Sequence, residues 1–319
     1  MTFKNSILLG TIGGYHDRFH VYQKPRTLEE RLDLALKIPR ADGVEPVYPQ
    51  DLGHDGERVD LVKKSGLGVS AVNVNIKTEE QFVKGSFTSR DAKVRDKALN
   101  YIKTAMDLSA DLGSNMVSVC PLIDGWDYPF EVNYQDQWRQ MVETFEKAAA
   151  HRSDVKISIE YKAFESRNRI ILPNLARTLV LCEKIGAPNL GITMDVGHAL
   201  MADETPAAEA ALGQEFNRLF YVHFNDNDRR ADWDMLPASV NLWETLELLY
   251  YLDLMDWNGW FAYDVFTRNG DNVEAVAATF EIMENLEKLR HKISKDELDA
   301  MIADGTPARN INKLIASLL

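Results

Sequence analysis

The feature that most constrains this fold is the alternation of short apolar runs with longer amphipathic stretches along the whole chain. Runs that are apolar nearly throughout are typical of strands buried on both faces of a parallel sheet. Each run here is short enough for a strand and is followed by a stretch long enough for a helix. Eight strand-like runs occupy residues 7–14, 42–49, 69–76, 115–122, 155–162, 190–198, 218–226 and 260–266.

The stretches between these runs are predicted to be helices. Their apolar residues recur every three or four positions, as one face of a helix requires. Many of them end at a glycine just before the next strand, which is a helix C-cap signal. These glycines are Gly66, Gly113, Gly186 and Gly259.

Eight parallel β–α units predict a (β/α)8 TIM barrel. The alternative is an open doubly wound sheet. However, the GTIGGYHD segment after the first run lacks the G-x-G-x-x-G spacing of that fold, and no G-x-x-x-x-G-K-[ST] loop occurs. We therefore expect residues 1–292 to form a barrel catalytic domain and residues 293–319 to form a C-terminal helical extension.

The extension is predicted to contain two helices. Ser294 opens a capping box with the sequence SKDE, Gly305 ends the first helix, and Pro307 begins the second. We expect these helices to cover the outside of the barrel or to contact a second subunit in a homo-oligomer. The apolar face of the second helix consists of Ile311, Leu314, Ile315 and Leu318.

Net charge and cysteine content limit the functional classes. The formal net charge of -13 repels nucleic-acid backbones and anionic membranes, so we expect neither as a partner. Cys120 and Cys182 both lie in apolar segments and are predicted to be buried thiols in a reducing compartment. No apolar run has the length of a membrane span, and the N-terminal segment does not have the pattern of a signal peptide. We expect a cytoplasmic protein.

Four consecutive strands end in side chains that can bind a metal ion. In a barrel, active sites form where the strands end, at the C-terminal face. Glu160, Asp195, His223 and Asp264 end the fifth to eighth strands, at spacings of 35, 28 and 41 positions along the chain. Three carboxylates and one imidazole that converge near the barrel axis would repel each other without a cation. The sequence therefore predicts a metal site made of these four residues.

The segment YVHFNDNDRRADWD suggests a second cation next to the first. Asp232 and Asp234 are two residues apart and would face the same way in an extended loop, and His198 lies just past the end of the sixth strand. These three residues are predicted to bind the second cation. The alternative is a solvated acidic loop. A helix–loop–helix calcium site is not expected, because DNDRRADWD lacks the glycine and glutamate of that motif.

Other side chains at the strand ends are candidates for contacting a substrate. Lys162 is predicted to donate to a substrate carbonyl oxygen, with a structural ion pair as the alternative. Trp126 is predicted to form an apolar wall for a sugar, with simple packing as the alternative. The catalytic candidates are Lys162, His198 and Asp232, and the substrate-binding candidates are Lys162, His198 and Trp126. Four more residues face the predicted site without an assigned role: His16, Asp17, Glu45 and Asn75.

The pattern E-x-K, D-x-x-H, H, D-x-D and D over the last four strands resembles the xylose-isomerase-like superfamily of TIM barrels, and within it the rhamnose isomerase type. The match covers about residues 155–267 and is only architectural over the first 150. The resemblance implies a dinuclear site for Mn²⁺ or another divalent cation such as Co²⁺, Mg²⁺ or Zn²⁺, with one or two ions per chain. It implies Glu160, Asp195, His223 and Asp264 at the first ion, His198, Asp232 and Asp234 at the second, and Lys162 at the substrate.

The resemblance implies a sugar isomerase that interconverts an aldose and a ketose by hydrogen transfer between C1 and C2. No phosphate cradle is visible, so an unphosphorylated sugar is expected. Three alternatives stay open: a ketose 3-epimerase, although those enzymes carry glutamate where this chain has Asp264; a C-glycoside deglycosidase that works with a small partner subunit; and a non-catalytic sugar-binding subunit. A DNA-repair endonuclease of the same fold is not expected, because this acidic chain has only seven histidines.

Overall fold

The computed structural model describes residues 4–317, and its central feature is a closed parallel barrel. The second and third strands are each broken into two pieces. Their first pieces pair with each other, as do their second pieces, and this pairing closes the ring. The predicted (β/α)8 barrel is therefore confirmed. The strands are Lys4–Leu8, Gly43–Glu45 with Val47–Tyr48, Gly68–Val69 with Val72–Val74, Met116–Val119, Lys156–Glu160, Leu190–Asp195, Leu219–Phe224 and Trp260–Tyr263.

Helices surround this barrel. Those numbered α1 to α9 below lie in the segments that connect or follow the strands, and each of them has buried residues. A 3₁₀ helix spans Glu80–Lys84, and two small antiparallel pairs join Tyr15–His16 with Val21–Gln23 and Gly125–Trp126 with Arg169–Ile170. The helices are α1 Leu28–Ala35, α2 Val59–Ser65, α3 Ala92–Asp111, α4 Tyr134–Ala149, α5 Leu175–Ile185, α6 Val196–Met201, α7 Pro206–Glu215, α8 Leu242–Leu254, α9 Asn272–Arg290, α10 Lys295–Asp304 and α11 Pro307–Ser317.

The glycine signals locate most of the helix ends. Gly66 and Gly186 are C-caps in the left-handed conformation, and Gly113 has a similar positive φ two residues past the end of α3. The prediction for Gly259 is wrong, because α8 ends at Leu254 and Asp256 takes the left-handed conformation instead. Gly259 has a packing role: a Cβ atom there would lie 2.3 Å from the Trp257 ring.

The strand register places the predicted site residues at one end of the barrel. Asp195 lies directly beside His223 across the sixth and seventh strands, and His223 lies beside Ala262 on the eighth. Glu160 ends the fifth strand and pairs with Thr193, two residues before Asp195. The carboxyl ends of these strands therefore bring their last side chains to one face, where barrel sites form.

The C-terminal helices begin and end where the sequence predicts. Ser294 forms the capping box with Glu297, and Gly305 ends α10 in the left-handed conformation. Ile311 and Ile315 on α11 remain about half exposed, and Leu318 lies outside the described residues. Helices α8 to α11 line an apolar groove of about 490 Å³. The contact with a second subunit stays a prediction.

None of the helices described within residues 4–317 is long and apolar enough to cross a membrane.

Candidate metal centre

Three of the four predicted ligands of the first cation come together at the barrel mouth. One ligand atom from each of Glu160, Asp195 and His223 lies within 4.8 Å of the other two. All three side chains are at most 5% exposed. Two carboxylates and an imidazole this close, and this well shielded from water, form a suitable site for a divalent cation.

The local structure around Asp195 orients its carboxylate. Asp195 ends its strand and is also the N-cap of α6, so its Oδ1 accepts from the backbone N–H of His198 at 2.9 Å. Its Oδ2 accepts from Asn225 Nδ2 at 2.9 Å. These two donors fix the rotamer while each oxygen keeps a lone pair for another partner.

A buried carboxylate holds the His223 ring in one orientation. His223 Nε2 lies 3.2 Å from Glu45 Oε2, and Glu45 also accepts from Asn73 Nδ2 at 2.9 Å and from Tyr221 OH at 2.6 Å. On the other side of the ring, Nδ1 lies 3.8 Å from Glu160 and 3.9 Å from Asp195. Within residues 4–317 this Nδ1 has no hydrogen-bond partner. Carboxylate support at one ring nitrogen is the usual arrangement of a metal-binding histidine.

His198 also has a carboxylate at Nε2, and its Nδ1 faces the Glu160 oxygen that is not directed at His223. Its Nε2 lies 3.1 Å from Asp232 Oδ2, and its Nδ1 lies 3.1 Å from Glu160 Oε1. That Nδ1 is buried and makes no hydrogen bond to any residue of the described chain. Glu160 thus faces one imidazole with each of its carboxylate oxygens.

Lys162 and Asp232 form a close ion pair beside His198. Lys162 Nζ donates to Asp232 Oδ2 at 2.7 Å, and Glu165 lies 3.2 Å from the same Nζ. The candidate carbonyl donor and a predicted ligand of the second cation therefore neutralise each other in this structure. Both side chains are largely shielded from solvent, which strengthens their attraction.

Asp234 and Asp264 lie near this cluster but outside its closest groups. In the described chain, the triads whose ligand atoms lie within 4.8 Å are Glu160–Asp195–His223 and Cys120–Glu160–His198. The predicted extended conformation is wrong at Asp234, because its φ of 47° lies in the left-handed region. Strand geometry therefore does not make Asp232 and Asp234 face the same way. Asp264 Oδ1 is buried without a hydrogen-bond partner among residues 4–317.

The pKa shifts describe a centre with more buried negative charge than it can neutralise. Burial opposes ionisation of Glu160, but His223 and His198 outweigh it and lower the Glu160 pKa to about 2. Burial would lower the pKa of His223, but Glu45, Glu160 and Asp195 raise it to about 10. Burial and the neighbouring acids raise the pKa of Asp264 to about 7 and that of Asp234 well above its usual range. In this structure protons on the carboxyl groups and imidazoles compensate much of the excess charge, a role that a divalent cation can take.

The chain matches a known protein family over most of its length. Residues 32–290 match the family described as Xylose isomerase-like TIM barrel. The chain belongs to this family. Among its relatives is the xylose isomerase of Thermus thermophilus, which is 26% identical over 273 residues, covering 79% of this chain and 70% of that protein.

Solved structures of this xylose isomerase-like fold overlay on most of the chain. The 3-keto-D-glucoside 4-epimerase of E. coli has 17% identity and a TM-score of 0.66, with 89% of this chain and all of that one covered. An L-ribulose 3-epimerase has 17% identity and a TM-score of 0.67, covering 93% of this chain and 98% of the other. At these identities the likeness shows the fold alone.

Trp126, the predicted sugar wall, packs among the loops after the fourth and fifth strands. It belongs to the short strand that pairs with Arg169–Ile170, and its ring lies 4.7 Å from that of Tyr134. Together with Trp138 and Arg177 it lines a surface cavity of about 590 Å³ that includes none of the candidate ligands. A contact between Trp126 and substrate stays a prediction.

The four residues without an assigned role have different positions. His16 is exposed on the small hairpin, where Asp17 accepts from the backbone N–H groups of Phe19 and His20. Asn75 accepts from two backbone N–H groups of the loop that follows it. These contacts stabilise loops, whereas Glu45 contacts His223 of the candidate metal centre.

Sequence reasoning did not predict that Glu45, Asn225 and Cys120 lie against the candidate ligands. Glu45 interrupts an apolar strand, which is a signal of a paired buried charge. Asn225 is two residues after His223, and its side chain joins Asp195 to Gly197 through hydrogen bonds. Cys120 follows the fourth strand directly, a position where a side chain reaches the barrel mouth.

Proposed function

We propose that this protein is a divalent-metal-dependent isomerase that interconverts an aldose and a ketose sugar. The observation that carries the proposal is the pair of buried imidazole nitrogens without hydrogen bonds on the two sides of Glu160, next to the Lys162–Asp232 ion pair that contacts His198. The relationship to a xylose isomerase supports the same reaction class.

The residues present fit a divalent cation. Glu160, Asp195 and His223 would hold it, with the unpartnered Oδ1 of Asp264 as the fourth ligand that we expect. When bound, the cation would supply positive charge that polarises hydroxyl and carbonyl oxygens of the sugar. Mn²⁺ is the ion we expect, because most of the ligand atoms are carboxylate oxygens. A second cation held by His198, Asp232 and Asp234 stays a prediction.

Lys162 is placed to act on the substrate carbonyl. Burial would lower its pKa, but Asp232 and Glu165 raise it above the ordinary value, so the ammonium stays protonated. It can donate to a carbonyl oxygen as negative charge develops there. In the reaction one hydrogen moves from C2 to C1 and one proton from O2 to O1, so no external oxidant is required.

The active site is mostly closed to water, which suits hydrogen transfer between adjacent carbons. Lys162, His198 and Asp195 are all below 9% exposed. A dry site prevents exchange of a reactive intermediate with solvent and strengthens each electrostatic contact. The buried free cysteines support the cytoplasmic location that we expect, and the exposed apolar side chains of α11 support the homo-oligomer.

One observation favours a ketose 3-epimerase as the second candidate. Asp264 is buried, has an unpartnered oxygen within the described chain and has a pKa raised by burial to about 7. Such a carboxyl group could exchange a proton with a sugar carbon near neutral pH. Two further candidates are a deglycosidase with a small partner subunit and a non-catalytic sugar-binding subunit.

A panel of aldoses and ketoses tests the proposal. The metal-free protein, the Mn²⁺-loaded protein and the loaded protein treated with a chelator would be incubated with each sugar, and the products separated by chromatography. We expect aldose–ketose conversion that the chelator removes. Ketose-to-ketose conversion would replace the proposal with the epimerase, and binding without turnover would exclude both.

A further inference from the structure

Cys120 lies at the barrel mouth, on the His198 side of Glu160. Its Sγ, a carboxylate oxygen of Glu160 and a ring nitrogen of His198 all lie within 4.8 Å of one another. Each of these side chains is at most 7% exposed. The three residues come from two neighbouring strand ends and from the helix after the sixth strand, so the barrel framework positions all of them.

The orientation of His198 points independently to a ligand at this position. Asp232 lies 3.1 Å from Nε2 and holds the ring so that Nδ1 points to the opposite side, toward Glu160. That Nδ1 is buried and has no hydrogen-bond partner in residues 4–317, although Glu160 Oε1 is 3.1 Å away. The arrangement repeats the one at His223, where Glu45 supports Nε2 and Nδ1 is left without a hydrogen bond.

We propose that Cys120 Sγ, Glu160 and His198 Nδ1 form a further metal position, an alternative to the predicted His198–Asp232–Asp234 site because both use His198, and that it binds a thiophilic cation such as Zn²⁺ or Cd²⁺. The thiolate and the carboxylate carry two negative charges, which a divalent cation neutralises. Thiolate and imidazole ligands favour these ions over Mn²⁺ and Mg²⁺, which prefer oxygen. Binding forms a metal–sulfur bond and releases the thiol proton to solvent.

The observed spacing suits a tetrahedral ion with little movement. Zn²⁺ binds sulfur, nitrogen and oxygen at about 2.0–2.3 Å, so its ligand atoms lie about 3.3–3.6 Å apart. Side-chain rotation can bring the three atoms to these distances, since they already lie within 4.8 Å of one another. Because Glu160 has one oxygen toward each histidine, it can bridge this position and the first one. The proposal rests on the metal role of Glu160 but does not require any sugar reaction.

The second cysteine provides a matched control. Cys182 lies in α5 within the hydrophobic core and belongs to neither of the candidate metal groups of the described chain. Because the chain has two cysteines, a variant that lacks one reports on the other alone.

The experiment is a titration of the metal-free protein with Cd²⁺, followed by ultraviolet absorption from thiolate-to-metal charge transfer. Wild type, Cys120→Ala and Cys182→Ala would each be titrated to two equivalents. We expect the band in wild type and Cys182→Ala and its loss in Cys120→Ala. Competition titrations should show Zn²⁺ affinity reduced at least tenfold in Cys120→Ala, with Mn²⁺ affinity changed less than threefold.

Two results would overturn the proposal. One is a wild-type protein that binds two Cd²⁺ ions without a charge-transfer band, which would place the second ion on oxygen and nitrogen ligands only. The other is a band that persists in Cys120→Ala. If Cys120→Ala does not fold, Cys182→Ala still decides the question. Cys120 is the only cysteine left in that variant, so its charge-transfer band must come from Cys120. Absence of sugar turnover would count against the proposed isomerase and not against this site.

Discussion

His198 and His223 flank Glu160 in nearly the same way, yet their surroundings differ. Each ring has a carboxylate at Nε2 and an unsatisfied Nδ1 toward Glu160. On the His223 side the supporting acid is Glu45, which is fully buried and held by neutral donors. On the His198 side it is Asp232, which is paired with the Lys162 ammonium.

This difference divides the centre into two sides. We call the side of His223 and Glu45 the fixed side, and the side of His198 and Asp232 the adjustable side. Glu45 is held by the neutral side chains of Asn73 and Tyr221, so its charge is directed to the His223 ring. Asp232 is shared between His198 and Lys162, so a substrate that attracts Lys162 changes the support of His198. If the proposed cation binds, we expect the His223 side to hold it in one geometry and the His198 side to be the part that a substrate can rearrange.

The largest effect is expected from removing both acids of the DWD segment on the adjustable side. Asp232→Ala with Asp234→Ala should leave about one Mn²⁺ per chain, still held by Glu160, Asp195 and His223, while turnover falls to the level of the chelated protein. Sugar binding should fall only modestly. Elemental analysis and titration calorimetry would measure this, with the exposed helix residues Asp33→Ala and Asp60→Ala as the control.

Full activity in that double variant, together with a wild type that never binds a second Mn²⁺, would make the DWD segment a solvated loop. The epimerase would then become the better candidate.

Replacing Lys162 tests whether the adjustable side contacts the substrate. Lys162→Met should keep the fold and the metal but lose turnover by roughly 10²-fold or more, as when one donor to a developing oxyanion is removed. Steady-state kinetics would measure the loss, with Lys147→Met on the exposed face of α4 as the control. An unfolded variant whose residual folded fraction keeps the wild-type rate would show that the lysine is structural.

Replacing Glu45 tests the fixed side. Glu45→Gln keeps the size of the side chain but removes the charge behind His223, and removing such support typically reduces metal affinity about 10–100-fold. Calorimetric titration with Mn²⁺ would show the decrease, while thermal unfolding of the metal-free protein would check the fold. Unchanged affinity would mean that Glu45 only fills the barrel interior.

The sequence predicted one part of this centre much better than another. The convergence of Glu160, Asp195 and His223 follows from strand ends, because equivalent positions on consecutive parallel strands must converge at one face, whereas Asp264 lies outside that group. The metal-binding role of all four stays a prediction. Their apolar strands made the ends easy to locate. The barrel and the extra C-terminal helices were predictable for the same reason, since the periodicity and the capping residues are local signals.

The supporting contacts could not be predicted, because they join distant parts of the chain. Glu45 and His223 are 178 residues apart, and no spacing rule relates the second strand to the seventh. Cys120 in an apolar segment fits a core thiol equally well. The left-handed conformation of Asp234 differs from the extended conformation predicted for the DWD segment. No neighbouring residue in the sequence signals that conformation.

The smallest expected effect is a pH dependence of the stability of the metal-free protein. The pKa of Asp264 is raised by burial from 3.8 to about 7, and that of His223 is raised by Glu45 and Glu160, against burial, from 6.5 to about 10. The folded state thus holds protons that the unfolded state releases, so stability falls as pH rises through about 4–7 and then 6.5–10. With Mn²⁺ bound the ion replaces these protons, and the dependence should flatten.

Thermal unfolding at pH 6 and pH 9, with chelator and with Mn²⁺, would measure this dependence. The stabilisation by Mn²⁺ should be larger at pH 9. A metal-free protein that becomes more stable between pH 6 and pH 9 would contradict the charge distribution described for the centre.

The most direct test of the central claim is a calorimetric titration of Mn²⁺ into metal-free wild type and Asp195→Asn. The asparagine keeps the shape of the side chain, and its oxygen can still accept from the His198 backbone N–H that Asp195 caps. It removes one of the charges that face His223 Nδ1. We predict that the affinity of the tightest Mn²⁺ site falls by at least tenfold in the variant. Equal affinity and equal metal content in the two proteins would contradict a cation site built on Glu160, Asp195 and His223.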